Sequence, residues 1–316
     1  MPDAPPSRPT VVVVTWQGAH LLGPCLASLH RQTLAHDVLV VDNASTDGTV
    51  ALLEREHPEV RVLRLPRNTG FAGGVQAGLD ATDAEFVALL NNDAMADDGW
   101  LAALVAEAHE HPEAAAVTSR MLLAGRTPPV LNNTGVVLLA TGYGADRGLG
   151  EGDTAYRQPG EVFGFSGGAA LLRSAAVRDV GGFPVPFFLY YEDTDTSWRL
   201  RAAGWTIRYA PTAVVHHEHS ASTDQASALF AFHNERNRLL MLARCAPSRD
   251  ALRCWARFAL TTASLARTRA LHPRRTVPHH FRIGLRLRVA ASALRLLPWA
   301  LRTRVPGAFW PPADRA

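Results

Sequence analysis

The chain contains no lysine. All 32 of its fixed cations are therefore arginines, whose guanidinium groups stay charged across the working pH range. That absence alone excludes a phosphate loop of the form GxxxxGK[ST]. Only three cysteines occur, Cys25, Cys245 and Cys254, and none forms a CxxC pair. A disulfide framework and a cysteine-based zinc site are excluded as organising features, and the usage fits a reducing cytosol. No run of about 18 uninterrupted apolar residues is present, so no integral membrane span is expected. The opening MPDAPPSRPT has no apolar stretch behind a basic one, so no secretory signal is expected. No GxGxxG follows the first apolar run, where the sequence reads TWQGAH, so the dinucleotide fingerprint is missing too.

Acidic residues are scarce at one end. Residues 231–316 hold 17 arginines and only Glu235, Asp250 and Asp314, a net charge of +14. Residues 1–230 hold 15 arginines and 26 acids, a net charge of −11. Coding bias accounts for the missing lysine but not for this segregation of sign. A basic segment joined to an acidic one points to an anionic partner, either nucleic acid or an anionic membrane surface.

With 316 residues, 47% of them apolar and 19% charged, the chain can build a sizeable core in about two domains, or in one with an appendage. Residues 1–9 are proline-rich and expected to be disordered. Val11 to Val14 and Asp37 to Val41 are continuous apolar runs, the mark of strands buried on both faces. Further strands are expected at 60–65, 85–90, 114–118 and 206–215. Helical spacing separates them at 22–29, 50–56, 70–79 and 100–110. Residues 120–160 show no clear period and read as a variable loop region. Beyond about 226 the pattern is helical and basic.

Strands alternating with helices imply a mostly parallel sheet covered on both faces, with its ligand at the carboxyl ends of the strands. Thr15, Asp42 and the cluster Asn91-Asn92-Asp93 fall at such ends. Asn68, Gly70 and Gly73 lie in a glycine-rich loop that opens a helix, where close backbone approach and exposed N–H groups favour an anion. Asn43 is expected to shape its turn, and Trp198 and Trp205 to serve packing.

The pieces VVVVTW, VLVVDNASTDGT, RNTGFAGGVQAG, FVALLNNDA, FSGGAALLR, GGFPVPFFLYYEDTDTSWRLRAAGW and APTAVVHHEHSAS occur in order between about residues 10 and 222. In this the chain resembles the inverting family 2 glycosyltransferases, most closely their rhamnosyltransferase-like branch. The resemblance implies an α/β GT-A nucleotide-diphospho-sugar transferase fold over residues 10–225. Its central sheet is mostly parallel, with helices on both faces. A basic helical extension over 226–316 follows. Two departures stand out. The metal motif, often Asp-x-Asp, is here Asn91-Asn92-Asp93, which we read as a subtype. Pro184-Val185-Pro186 follows GGF where an acidic residue is common, and this bears on acceptor shape.

By the same resemblance, Asp42 accepts a hydrogen bond from a uracil or thymine ring, with Thr15 beside it, and the loop of Asn68, Gly70 and Gly73 lies against the nucleotide. Asp93 holds Mg²⁺ or Mn²⁺ on the diphosphate. Asn91 and Asn92 support the nucleotide. His216 is favoured over His217 as the second metal ligand. Asp193 is the general base of a single in-line displacement, and Glu192 orients the acceptor. Asp195 is either a rival base or the partner of Arg199 at i,i+4. The expected donor is dTDP-rhamnose, with UDP-galactofuranose or another UDP-sugar as the alternative. The expected acceptor is a glycan or polyprenyl-linked sugar of a bacterial envelope. The enzyme is expected in the cytoplasm, on the inner face of the plasma membrane.

Three other classes fit less well. A nucleotidyltransferase is disfavoured by the EDTD helix and terminal histidines. Nucleic-acid binding lacks an aromatic–basic RNA motif. A catalytically dead relative would not need Asp42, Asp93 and Asp193 together. In the tail, Ile283, Leu287, Ala290, Leu294 and Leu297 repeat at 4-3-4-3 spacing, with Trp299 and Trp310 following. This stripe predicts either a helix at an anionic membrane interface or one packed on the catalytic domain or a second subunit, and Pro298 should end it.

Overall fold

The computed structural model describes residues 8–218, 227–271 and 278–305. Most of the expected disorder at 1–9, the end of HHEHSAS and Trp310 lie outside the described residues.

The first half alternates strands and helices: β1 (Thr10–Thr15), α1 (Ala19–His30), β2 (Asp37–Asp42), α2 (Thr49–Glu56), β3 (Arg61–Arg64), α3 (Gly70–Asp80), β4 (Phe86–Leu90), β5 (Ala94–Ala96), α4 (Trp100–Glu110) and β6 (Ala114–Leu123). Short strands follow: β7 (Leu131–Asn133), β8 (Val136–Leu138), β9 (Gly144–Asp146) and β10 (Gly160–Glu161). Then come β11 (Ala169–Arg173), α5 (Ser174–Asp179), α6 (Glu192–Ala202), β12 (Thr206–His217), and the helices α7 (Ala228–Cys245), α8 (Ser248–Leu271) and α9 (Ile283–Arg302).

The main sheet runs β10-β12-β6-β11-β4-β1-β2-β3. β1 pairs in parallel with β2 and β4, β2 with β3, and β6 with β12. β11 lies antiparallel between β4 and β6 and joins the two parallel halves. The continuous apolar runs are explained by burial on both faces. Val11 and Val13 enter a core with Leu22, Leu26 and Trp100, whereas Val12 enters the opposite core with Val75, Leu79 and Phe165. Period-two alternation thus divides one strand between two helical layers. Register sets Thr15 beside Asp42, so two polar strand ends meet.

Residues 120–160 are not the loose region expected. Leu131 to Leu138 are buried throughout, and β8 and β9 form a hairpin. Each strand there has only three residues, too few to show a period.

Contacts run across the change in composition near residue 226. Leu240, Met241 and Cys245 of α7 share a core with Phe187, Trp198 and Ala300. Asp195 is fully buried, its Oδ1 2.7 Å from Arg199 Nε and also paired with Arg244 of α7. Of the two roles open to Asp195, the ion pair with Arg199 is the observed one. A buried charge held by two guanidinium groups serves the fold, because removing either side leaves charge uncompensated.

The buried face of α9 carries Arg286, Val289, Ala293 and Ala300, not the stripe read from the sequence. Leu287 and Leu294 of that stripe are each 57% exposed. The helix also passes through Pro298 to Arg302. Trp299 holds this turn: its ring meets Phe187 edge-on at 6.0 Å, and Arg244 lies 4.6 Å over it. No helix among the described residues is long and apolar enough to cross a membrane.

Candidate active site

The strand ends open into a cleft of about 600 Å³. Thr15, Asn68, Gly70, Asn91, Asn92, Asp93, Glu192 and Asp193 line it. Asp42, Gly73 and His216 do not. Asp42 is buried at the end of β2, and its Oδ1 accepts the Ser45 N–H at 3.1 Å, so one oxygen is committed to the turn. Gly73 lies on the buried side of α3, where a Cβ would come within 2.5 Å of the Thr69 side chain. Its role is helix packing.

The resemblance favours His216 over His217, and the structure reverses that order. Along β12 successive side chains face opposite ways. His216 faces outward, with Nε2 3.3 Å from Asp97. His217 faces the cleft, with Nε2 3.1 Å from Asp93 Oδ1. A register shift between Ala210 and Val214 precedes the pair, and no sequence period reveals it. His217 Nδ1 lies 2.8 Å from the amide oxygen of Asn132. That oxygen can only accept, so Nδ1 donates to it, while Nε2 lies between Asp93 Oδ1 at 3.1 Å and Asn91 Nδ2 at 3.3 Å.

Asp93 Oδ1 is buried and makes no hydrogen bond among the described residues. A carboxylate oxygen and an imidazole nitrogen 3.1 Å apart are donor types that could hold a divalent cation. Asn92 Nδ2 donates to Thr15 Oγ1 at 3.0 Å, tying this corner to the end of β1.

The opposite wall is the start of α6. Asp193 Oδ2 accepts the Gly167 N–H at 3.0 Å, and Oδ1 accepts the Thr194 N–H at 2.6 Å and its hydroxyl at 3.0 Å. Burial pushes the Asp193 carboxyl above its ordinary range, and these donors offset part of that push. Glu192 is raised well above its ordinary value, first by burial and then by the charge of Asp193. Its Oε2 is buried with no hydrogen-bond partner among the described residues. Both neighbouring carboxyls are thus raised, Glu192 further than Asp193, so Glu192 is the more readily protonated of the pair.

What aims them is a strained loop. Phe188, Tyr190 and Tyr191 have φ of 67°, 68° and 70°. Left-handed backbone at non-glycine residues costs about 1–3 kcal/mol each and persists only where the surroundings enforce it. Asn237 of α7 supplies that restraint, donating from Nδ2 to the carbonyls of Phe187, Leu189 and Tyr190 at 3.0, 2.8 and 2.8 Å. Arg236 donates to the Phe187 carbonyl at 2.7 Å. Gly70 itself has φ 72°, and a Cβ there would strike the Phe188 carbonyl at 2.1 Å, so this glycine fits the nucleotide-side loop against the acceptor-side loop. Asn43 bridges the same loop, accepting the Thr69 N–H and donating to the Gly70 carbonyl at 2.8 Å each.

Sequence reasoning missed Asn132, Asn133, Asp146, Asn234 and His217 as the occupant of this wall. Asn133 donates to Asp146 Oδ1 at 2.6 Å. The only signal was the polar pair in LNN, inside a stretch without period.

Residues 10–181 match the family described as Glycosyl transferase family 2. The chain is 35% identical over 250 residues to an N-acetylglucosaminyl-diphospho-decaprenol L-rhamnosyltransferase of Mycobacterium tuberculosis, covering 71% of this chain and 80% of that one. It is 31% identical over 241 residues to a pre-mycofactocin glycosyltransferase of the same organism, covering 72% of this chain and 47% of that one. The solved structure of GalNAc-T7 with UDP, GalNAc and Mn²⁺ superposes with a TM-score of 0.65 at 12% identity, over 93% of this chain and 56% of that one. S. aureus TarS 1–349 in complex with UDP-GlcNAc gives 0.54 at 20% identity, over 94% of this chain and 88% of that one. At such identities the structures establish the fold.

Proposed function

The chain belongs to glycosyl transferase family 2 and has the GT-A fold, and from that premise we propose that it transfers rhamnose from dTDP-rhamnose to a polyprenyl-diphosphate-linked glycan, with inversion at the anomeric carbon. One observation carries the reading: Asp193, poised as a base, lines the same cleft as the facing pair Asp93 and His217. A proton acceptor and a diphosphate-binding corner opposite each other are what a single displacement needs. Rhamnose and the lipid-linked acceptor are supported by the 35% identical relative, whose own reaction is a rhamnosyl transfer to a diphospho-decaprenol glycan.

In this reading Thr15, Trp16, Asn43, Asn68 and Gly70 cradle the nucleoside. Asp42 backs that wall from beneath, through the Ser45 turn. Asp93 and His217 would hold Mg²⁺ or Mn²⁺. When bound, the cation supplies charge neutralisation to the departing nucleoside diphosphate. Asp193 takes the proton of the acceptor hydroxyl as oxygen attacks the anomeric carbon. Glu192, neutral, donates a hydrogen bond from its buried carboxyl to the acceptor. The strained loop holds both acids while the acceptor enters.

A membrane-proximal acceptor fits the outer face of the C-terminal helices. Leu252 and Leu260 of α8 are each 71% exposed, and Leu287, Leu294 and Leu301 of α9 are more than half exposed. Arginines lie between them, within a segment of net charge +14. Such a surface suits the interface of an anionic leaflet, where each arginine adds about 1 kcal/mol.

A thermal-shift panel of nucleotides and nucleotide sugars tests the donor. With Mn²⁺, dTDP and dTDP-rhamnose should raise the melting temperature most, and ligand at 100 times its Kd adds about 2.7 kcal/mol of stability. A larger shift with UDP-galactofuranose would reassign the sugar, and no shift with any nucleoside diphosphate would overturn the reading.

A further inference from the structure

A second cavity, of about 1180 Å³, lies between α7, α8 and the β8–β9 hairpin. It is larger than the catalytic cleft. The two spaces adjoin: Phe230 and Asn234 line both. The hairpin is the partition, with Tyr143 on the second cavity and Gly144 to Asp146 on the cleft.

The lining has two characters. Phe230, Phe258, Phe281 and Ala231 offer apolar surface. Arg238, Arg253, Arg257 and Arg286 offer charge. Two of these cations are spent. Arg238 pairs with Glu235 at 3.0 Å, and buried Arg286 donates to Thr262 and to the Phe258 carbonyl at 2.8 and 3.0 Å. The other two are available. Arg253, exposed, has one acidic partner, Asp250, at 3.3 Å, and Arg257 has none among the described residues. Four residues apart on α8, they share a helix face. Asn234, at the junction, makes no hydrogen bond within the described residues, so its amide is free for a ligand.

We propose that this cavity binds the isoprenoid diphosphate of the acceptor, with Arg253 and Arg257 on the diphosphate, the phenylalanines along the prenyl chain and Asn234 against the sugar that passes into the catalytic cleft. The proposal rests on the lipid-linked acceptor named above. An acceptor of this kind has three parts in fixed order: a sugar hydroxyl that reacts, a diphosphate next to that sugar, and an apolar chain beyond. The molecule presents the matching parts: Asp193 in the cleft, the Asn234 amide at the junction, and Arg253, Arg257 and an aromatic wall in the second cavity. Guanidinium forks match phosphate oxygens in geometry as well as charge.

The test uses the full chain and farnesyl diphosphate, measured by calorimetry with and without saturating dTDP and Mn²⁺. Farnesyl diphosphate should bind at least tenfold more tightly than farnesol or pyrophosphate alone. Saturating dTDP should not displace it. Arg253→Ala/Arg257→Ala, on an exposed face, should weaken it at least tenfold while the affinity for dTDP with Mn²⁺ stays unchanged, and Arg257→Lys should restore part of the loss. Displacement by dTDP would put the lipid diphosphate in the donor site and overturn the proposal. Unchanged affinity in the double variant would overturn it equally. If dTDP binds but farnesyl diphosphate does not, this inference alone falls; if dTDP does not bind, the reading of the catalytic cleft falls with it.

Discussion

Asp193→Asn should bind the donor as the parent does and turn over about 1,000-fold more slowly, a barrier increase of about 4 kcal/mol. The amide keeps the shape and can still accept the Gly167 N–H that Oδ2 accepts at 3.0 Å, but it cannot take a proton. Burial has raised the Asp193 carboxyl, so the base form is present above that raised pKa and lost as pH falls through it. The acid limb of kcat/KM should therefore lie above the ordinary aspartate value of about 3.9 and vanish in the variant. Turnover within tenfold of the parent, about 1.4 kcal/mol, would remove Asp193 from the role. Asp195 would not inherit it, because it is fully buried between Arg199 and Arg244.

Asp93→Ala should abolish the dependence of donor binding on the cation. Its buried Oδ1 makes no hydrogen bond among the described residues and meets only His217, so its loss deprives a ligand more than the fold. Calorimetry with dTDP should show about a hundredfold weaker binding in Mn²⁺, equivalent to about 2.8 kcal/mol. Without Mn²⁺ the parent and the variant should bind alike. His217→Ala should move the same way, and His216→Ala should not, because His216 faces Asp97. Binding in Asp93→Ala that still rises with Mn²⁺ would contradict the assignment.

The nucleotide-side half of the cleft was legible because its residues sit where strands end. A buried strand declares itself by four or five apolar residues in a row, and the polar residue that ends the run marks the sheet's carboxyl edge. Thr15, Asp93 and the start of α6 were found in this way, or by resemblance, and all line the cleft. The far half was not legible. Asn132 and Asp146 lie on strands of three residues, where no period can be counted. His216 was favoured over His217 by resemblance, and the shift between Ala210 and Val214, which decides which of the two faces the cleft, is invisible in the sequence. On α9 the 4-3-4-3 stripe was real as a pattern, but α7 packs against the neighbouring face, whose Ala293 and Ala300 admit close approach. Amphipathicity told that the helix has a buried side and misplaced it by a fraction of a turn. The strained loop before Glu192 was hidden altogether, because Phe188, Tyr190 and Tyr191 are residues that rarely adopt such backbone, and the restraint comes from Asn237, far along the chain.

The central claim is that one cleft carries a single displacement at a sugar bound through its nucleoside diphosphate. The direct measurement is NMR of a complete turnover, with dTDP-rhamnose as donor and farnesyl-diphospho-N-acetylglucosamine as acceptor, followed together with the released nucleotide. The account predicts one dTDP released per new glycosidic bond, and an anomeric configuration in the product opposite to that in the donor. Retention of configuration, or release of pyrophosphate in place of dTDP, would contradict it.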